Sequence, residues 1–373
     1  MEEAEVILLA LLAFSWMPLE HGLRTPRRAL PLDPPFFVGE MQRIVPQEKL
    51  PFSPTETATP VLDSAQTRLY VGTRDGKVRC RFRGRTAWIF QTNGAVLASP
   101  AIEGETLYVA GGDGVVYALN RFTGVPRWRA DIHEELTTPP TASEGRLFVM
   151  SSEQSVTALD LKDGKRLWKF HRDAPGGFTI RGDAQPKVAH GTLFAGFADG
   201  VVAALQPESG VATWTRQVSG TGDYLDVDWI DAPEADTRIY VASAKAGIVA
   251  LDAATGNPAW TYPLAGANHV VVEGARIVGG GRGELVALDR ASGVKLWTLQ
   301  LGKDRYPTQP VAVSGLIIVA QDRGPLMGVD LQTGEARGAF DPGSGFSQPV
   351  YALPGIAFVL SNGGTLFSLG LLP

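Results

Sequence analysis

Leu107-Tyr108-Val109-Ala110-Gly111-Gly112-Asp113-Gly114-Val115-Val116-Tyr117-Ala118-Leu119-Asn120-Arg121-Phe122-Thr123-Gly124-Val125-Pro126-Arg127-Trp128 is one copy of a unit that recurs eight times in 373 residues. A strand (107–109) leads into an Asp-Gly turn (113–114) and a second strand (115–119). Thr123-Gly124 follows, and a tryptophan stands four residues beyond the glycine. Six copies close on that spacing: Gly84/Trp88, Gly124/Trp128, Gly164/Trp168, Gly210/Trp214, Gly256/Trp260 and Gly293/Trp297. Successive strand pairs begin near Leu69, Leu107, Leu147, Leu193, Ile239, Ile277, Ile317 and Ile356, in steps of 38, 40, 46, 46, 38, 40 and 39. A period near 40 residues is the signature of a repeat architecture.

No step is long enough to hide a second domain. The chain therefore divides into an N-terminal segment, residues 1–30, and one repeat domain, residues 31–373. With 44% apolar residues and 43 glycines it reads as an all-β, turn-rich protein. The net charge of −5 argues against nucleic acid, which calls for a basic face. The single cysteine, Cys80, excludes an intrachain disulfide and any multi-cysteine metal site. It reads as a half-buried structural thiol.

The apolar run Val6–Met17 has the length of an export-signal core and is too short to span a bilayer as a helix. Glu2, Glu3 and Glu5 stand where a basic flank is expected, and no cysteine follows the run to accept lipid. The segment reads as a degraded or mis-started export signal, or as a short apolar anchor. The expected location is periplasmic and possibly outer-membrane associated, with the cytoplasm as the alternative.

Each unit reads as a four-stranded antiparallel sheet. Proline opens the first strand at Pro60, Pro100, Pro140, Pro186, Pro310 and Pro349, which suits an edge because proline donates nothing to the ladder. A small alanine recurs in the third strand, at Ala118, Ala158, Ala204, Ala250 and Ala287, and implies close approach of neighbouring sheets. The tryptophan of the fourth strand offers bulk and one indole N–H. Blades stacked around an axis bury both faces of every sheet, so the expected fold is an eight-bladed β-propeller, with seven blades as the alternative count. The last copy ends one strand short, and Phe36–Val45 is expected to supply that strand and close the ring.

Gly247-Ile248-Val249-Ala250-Leu251-Asp252-Ala253-Ala254-Thr255-Gly256-Asn257-Pro258-Ala259-Trp260 resembles the tryptophan-docking repeat of quinoprotein-type propellers. The two long steps place Phe178-Thr179-Ile180-Arg181-Gly182-Asp183 before copy four and Gly222-Asp223-Tyr224-Leu225-Asp226-Val227-Asp228 after it. Together these segments resemble the BamB family, propeller lipoproteins of the bacterial outer-membrane barrel-assembly machinery. The resemblance implies a non-enzymatic scaffold whose loops dock the periplasmic domains of an outer-membrane barrel insertase. It makes Phe178, Ile180, Arg181, Asp226 and Asp228 candidate partner-binding residues. Asp226 and Asp228 alternate along an extended segment, so the guanidinium of Arg181 in the adjacent loop is placed to bridge both carboxylates. An internal bridge tying two loops together is the plainer alternative. The family's lipidated cysteine has no counterpart here.

Quinone-dependent dehydrogenases share the repeat, and that resemblance implies a paired-cysteine disulfide, a carboxylate-bound calcium ion and an aspartate base in longer chains. With one cysteine and no long insertion, no catalytic residue, cofactor or metal site is expected, and the rival reading is a quinone- or small-ligand-binding propeller or a generic interaction propeller. The histidines lack metal-ligand spacing, and the Asp131–Glu135 loop around His133 reads as solvated. Gly279–Gly283 reads as a blade hairpin. Arg79-Cys80-Arg81-Phe82-Arg83-Gly84-Arg85 reads as a solvated strand with outward arginines. The chain is expected to be monomeric.

Overall fold

A computed structural model describes residues 36–46, 56–173, 184–220, 222–303, 305–322 and 324–372. The expectations on residues 1–30 lie outside them. Among the described residues, eight four-stranded antiparallel sheets are arranged as an eight-bladed β-propeller. Blade two shows the plan: Ala101–Glu103, Thr106–Ala110, Val115–Asn120 and Pro126–Asp131, paired in that order from the axis outward. Blade eight combines Tyr351–Leu353, Ile356–Leu360 and Thr365–Leu371 with Phe36–Arg43 as its outermost strand. The ring closes through the N-terminal strand, as the missing last strand required.

Apolar clusters lie between blades. Tyr108, Ala110, Val116 and Ala118 of blade two, for instance, pack against Leu147, Val149 and Leu159 of blade three. The six tryptophans make the outer seams. Each pairs across its own sheet with the small residue of the third strand, as Trp128 with Ala118 and Trp88 with Cys80. Each indole N–H then donates to a backbone carbonyl of the next blade: Trp88 to Arg121, Trp128 to Leu161, Trp168 to Pro207, Trp214 to Ala253, Trp260 to Arg290 and Trp297 to Leu331, at 2.9–3.1 Å.

The glycine of the motif serves the opposite seam. A Cβ on Gly164 would stand 2.5 Å from Trp128 of blade two, and one on Gly256 would stand 2.6 Å from Trp214 of blade four. Both glycines also hold positive φ, 75° and 68°, so the position needs glycine for conformation and for space. Gly-x-x-x-Trp is thus a socket and a plug facing different neighbours.

Two seams depart from this. In blade seven Gly338 pairs with Gly328 where the tryptophan would stand. Phe340, two residues on, is buried and meets Phe367 of blade eight edge-on at 5.0 Å. In blade eight Glu40 pairs with Ser368, the tryptophan place. It faces the buried Arg81 of blade one, Oε1 to Nη2 3.6 Å. Arg79 is also buried and ion-paired with Asp75 at 2.6 Å. The expectation of outward arginines therefore fails for Arg79, which finds a carboxylate in the turn of its own blade, and for Arg81, which finds one across the seam. Cys80 is fully buried rather than half-buried, and burial pushes its thiol up to about 12. Gly279–Gly281 lies in the hairpin as expected.

The first residues of the inner strands surround a central channel of about 1120 Å³. One ring of equivalent positions carries Thr59, Ser99, Pro139, Gln309 and Pro349 in five blades, and Gln185, Trp229 and His269 in blades four to six.

Candidate functional site

The two long steps are the connections from blade three to blade four and from blade four to blade five. Their bases are tied down. Arg172, leaving the last strand of blade three, pairs with Asp199 in the hairpin turn of blade four, Nε to Oδ2 2.9 Å. Its guanidinium lies 5.7 Å over the Phe197 ring, which meets Phe170 at 5.8 Å. The Ala198 N–H donates to Gln154 Oε1 at 2.6 Å, joining blades three and four again.

The second connection is held by buried hydroxyls. Ser219 Oγ donates to the Leu225 carbonyl at 2.6 Å and lies 2.8 Å from Ser243 Oγ in blade five. The Val227 N–H donates to the Phe197 carbonyl at 3.1 Å. A Cβ on Gly196 would stand 2.3 Å from Val227 Cγ1, so this close approach requires glycine. Asp228 Oδ2 accepts the Ala244 N–H at 3.1 Å, while Asp226 is fully buried. The Asp-Val-Asp segment is therefore wedged between blades four and five. Phe178, Ile180 and Arg181 lie outside the described residues, and so does the expected bridge from Arg181.

Tyr224 projects from this fixed base, 49% exposed and at φ 59°. Sequence reasoning did not single out this exposed side chain, although Gly222-Asp223 before it signals a turn that presents the next residue. Elsewhere, His133 is exposed with Nδ1 3.0 Å from Asp131, and no group of three potential metal ligands occurs among the described residues. No helix among them is long and apolar enough to cross a membrane.

A family model described as "Outer membrane protein assembly factor BamB" matches residues 74–228 and 226–339. A protein of that name from Bordetella pertussis is 31% identical over 126 residues, 33% of this chain and 32% of the relative. The polyvinylalcohol dehydrogenase of a Pseudomonas species is 29% identical over 108 residues, 27% of this chain and 17% of the relative. The aligned stretches thus span a third or less of the length of these curated relatives. The crystal structure of BamB from Moraxella catarrhalis superposes with a TM-score of 0.79 at 21% identity, covering 90% of this chain and 100% of that one, a likeness of fold.

Proposed function

Because this chain belongs to the family of the outer membrane protein assembly factor BamB, we propose that it is a non-enzymatic scaffold for outer-membrane protein assembly. It acts by presenting rigid loops on one face of the ring. The observation that carries this reading is the anchoring of both long connections. Ordered backbone at the base removes most of the conformational cost of binding, so affinity depends on the few residues at the tips. Asp226, being buried, holds the loop, and Asp228 fixes it to Ala244. Contact falls to Tyr224 and to Phe178, Ile180 and Arg181 of the neighbouring loop. An apolar centre with a charged rim is the usual make-up of such an interface. The partner is the periplasmic part of an outer-membrane barrel insertase, and the location is the periplasm beside that membrane.

The test is affinity capture from cell envelopes with the full chain and with Arg181→Glu. Recovery of a barrel insertase by the first and its loss from the second is the expected result. Recovery by neither overturns the reading. The identity to a named polyvinylalcohol dehydrogenase favours a second reading, a quinone-binding propeller. Saturable, calcium-dependent uptake of a quinone by the purified chain would select it.

A further inference from the structure

We propose that the corner of the central channel where blades four, five and six meet binds an uncharged polyhydroxylated ligand, with the chemistry of a pyranose sugar ring. The inner-strand ring carries its two aromatic side chains, Trp229 and His269, in blades five and six, beside Gln185 of blade four. Gln185, Trp229 and His269 line the channel, with the Trp229 and His269 rings 5.2 Å apart. Lys187 Nζ stands 5.1 Å over the Trp229 ring and 3.0 Å from Gln185 Oε1. Asp231, at the equivalent position one blade on, accepts the Val272 N–H at 3.0 Å. Blade packing does not demand this cluster, since the other five blades build the same wall with Val61, Ala101, Thr141, Val311 and Tyr351 opposite their second strands.

Two buried polar atoms of these channel-lining rings have no hydrogen-bond partner: Trp229 Nε1 and His269 Nδ1. Native proteins rarely leave such atoms unsatisfied. Their chemistry limits the ligand. An indole N–H only donates, and an imidazole nitrogen donates or accepts according to tautomer. Hydroxyl groups meet both demands at once. Charge narrows it further. Burial pushes the Lys187 ammonium down and the Asp231 carboxyl up, and each is opposed in part by the other. Burial also lowers His269 to about 4, so the imidazole is neutral near pH 7. An anionic ligand would meet Asp231 and a cationic one Lys187, whereas a neutral polyol meets neither penalty. Neither atom is open to the channel, so seating a hydroxyl requires the Trp229 and His269 rings to rotate. The channel volume is of the size of small-molecule sites.

The site lies at the inner strands, where Gln185 and Trp229 directly follow the two long connections in sequence. The test is saturation-transfer NMR and calorimetry on the full chain with three probes on one ring: methyl glucoside, glucuronate and glucosamine. Saturable binding of the glucoside is expected, about tenfold tighter than either charged probe, and weakened about tenfold by Trp229→Phe, which keeps the ring and removes the donor. Should Trp229→Phe fail to fold, His269→Phe replaces it with the same expectation. Binding of a charged probe in preference, an unchanged affinity in the variant, or no saturable binding of any probe overturns the proposal.

Discussion

Gly145 and Gly164 stand in the same blade at nearly the same φ, 78° and 75°, yet they face different surroundings. Nothing lies within 4 Å of a Cβ on Gly145, whereas one on Gly164 would meet Trp128 at 2.5 Å. Gly145→Ala is therefore expected to cost only the conformational penalty, about 1 kcal/mol. Gly164→Ala should add about 1–3 kcal/mol of overpacking against the indole. Urea unfolding of the two variants separates the terms, and equal costs would contradict the socket. Glu56 supplies a pH test. It is buried and accepts the Arg74 N–H at 2.9 Å, and burial raises it from 4.5 to about 7. A carboxyl whose folded pKa is raised gives stability that is full below its unfolded value and lost as pH rises through the folded one. The loss falls between about pH 4.5 and pH 7, on the order of 3 kcal/mol. Glu56→Gln should thus raise Tm relative to the parent at about pH 8 and leave it little changed at about pH 4.5; equal Tm at both would refute the assignment. The tryptophans and their place in the fourth strand were readable from spacing alone. That Gly124, Gly164, Gly210, Gly256, Gly293 and Gly334 each receive the tryptophan of the preceding blade was not, because periodicity fixes a residue's place in its blade without saying which neighbour it meets.

At the scale of elements, the strand Phe36–Arg43 carries the most consequence. Its existence was legible from the missing last strand of blade eight. Its mode of closure was not, because Glu40 in FFVGEMQR reads as an ordinary outward residue until its register with Ser368 places it at a tryptophan position. Six seams close by an indole; this one closes by Glu40 and Arg81, of which Arg81 is nearly fully buried and Glu40 a third exposed. Burial raises the Glu40 carboxyl, with Arg81 opposing, and lowers Arg81, with Glu40 opposing. Removing one partner leaves a buried charge alone. Glu40→Ala is accordingly expected to destabilise by about 2 kcal/mol, less than a fully enclosed pair because Glu40 keeps contact with water. Glu40→Leu with Arg81→Leu should recover most of that loss. Thermal unfolding of the single and double variants decides it, and additive losses would show that the pair does not act as a unit.

For the whole molecule, regular and irregular parts divide the work. Steps near 40 residues build the ring, and the two 46-residue steps carry the anchored loops. Blades four to six also hold the polar channel corner. That cluster escaped sequence reading because Lys187, Trp229 and His269 sit on short inner strands about 40 residues apart, and only the closed ring brings them together. The loops proposed for docking were legible as insertions, and the burial of Asp226 was not, since alternation along a strand does not say which side a neighbouring blade covers. The central claim is that this rigid face binds an outer-membrane barrel insertase. Its most direct test is the Kd of the purified full chain for the periplasmic domains of that insertase, measured by calorimetry for the parent and for Arg181→Glu. Binding by the parent, weakened about tenfold or more in the variant, is the predicted result. No binding by the parent, or equal binding by both, would contradict it.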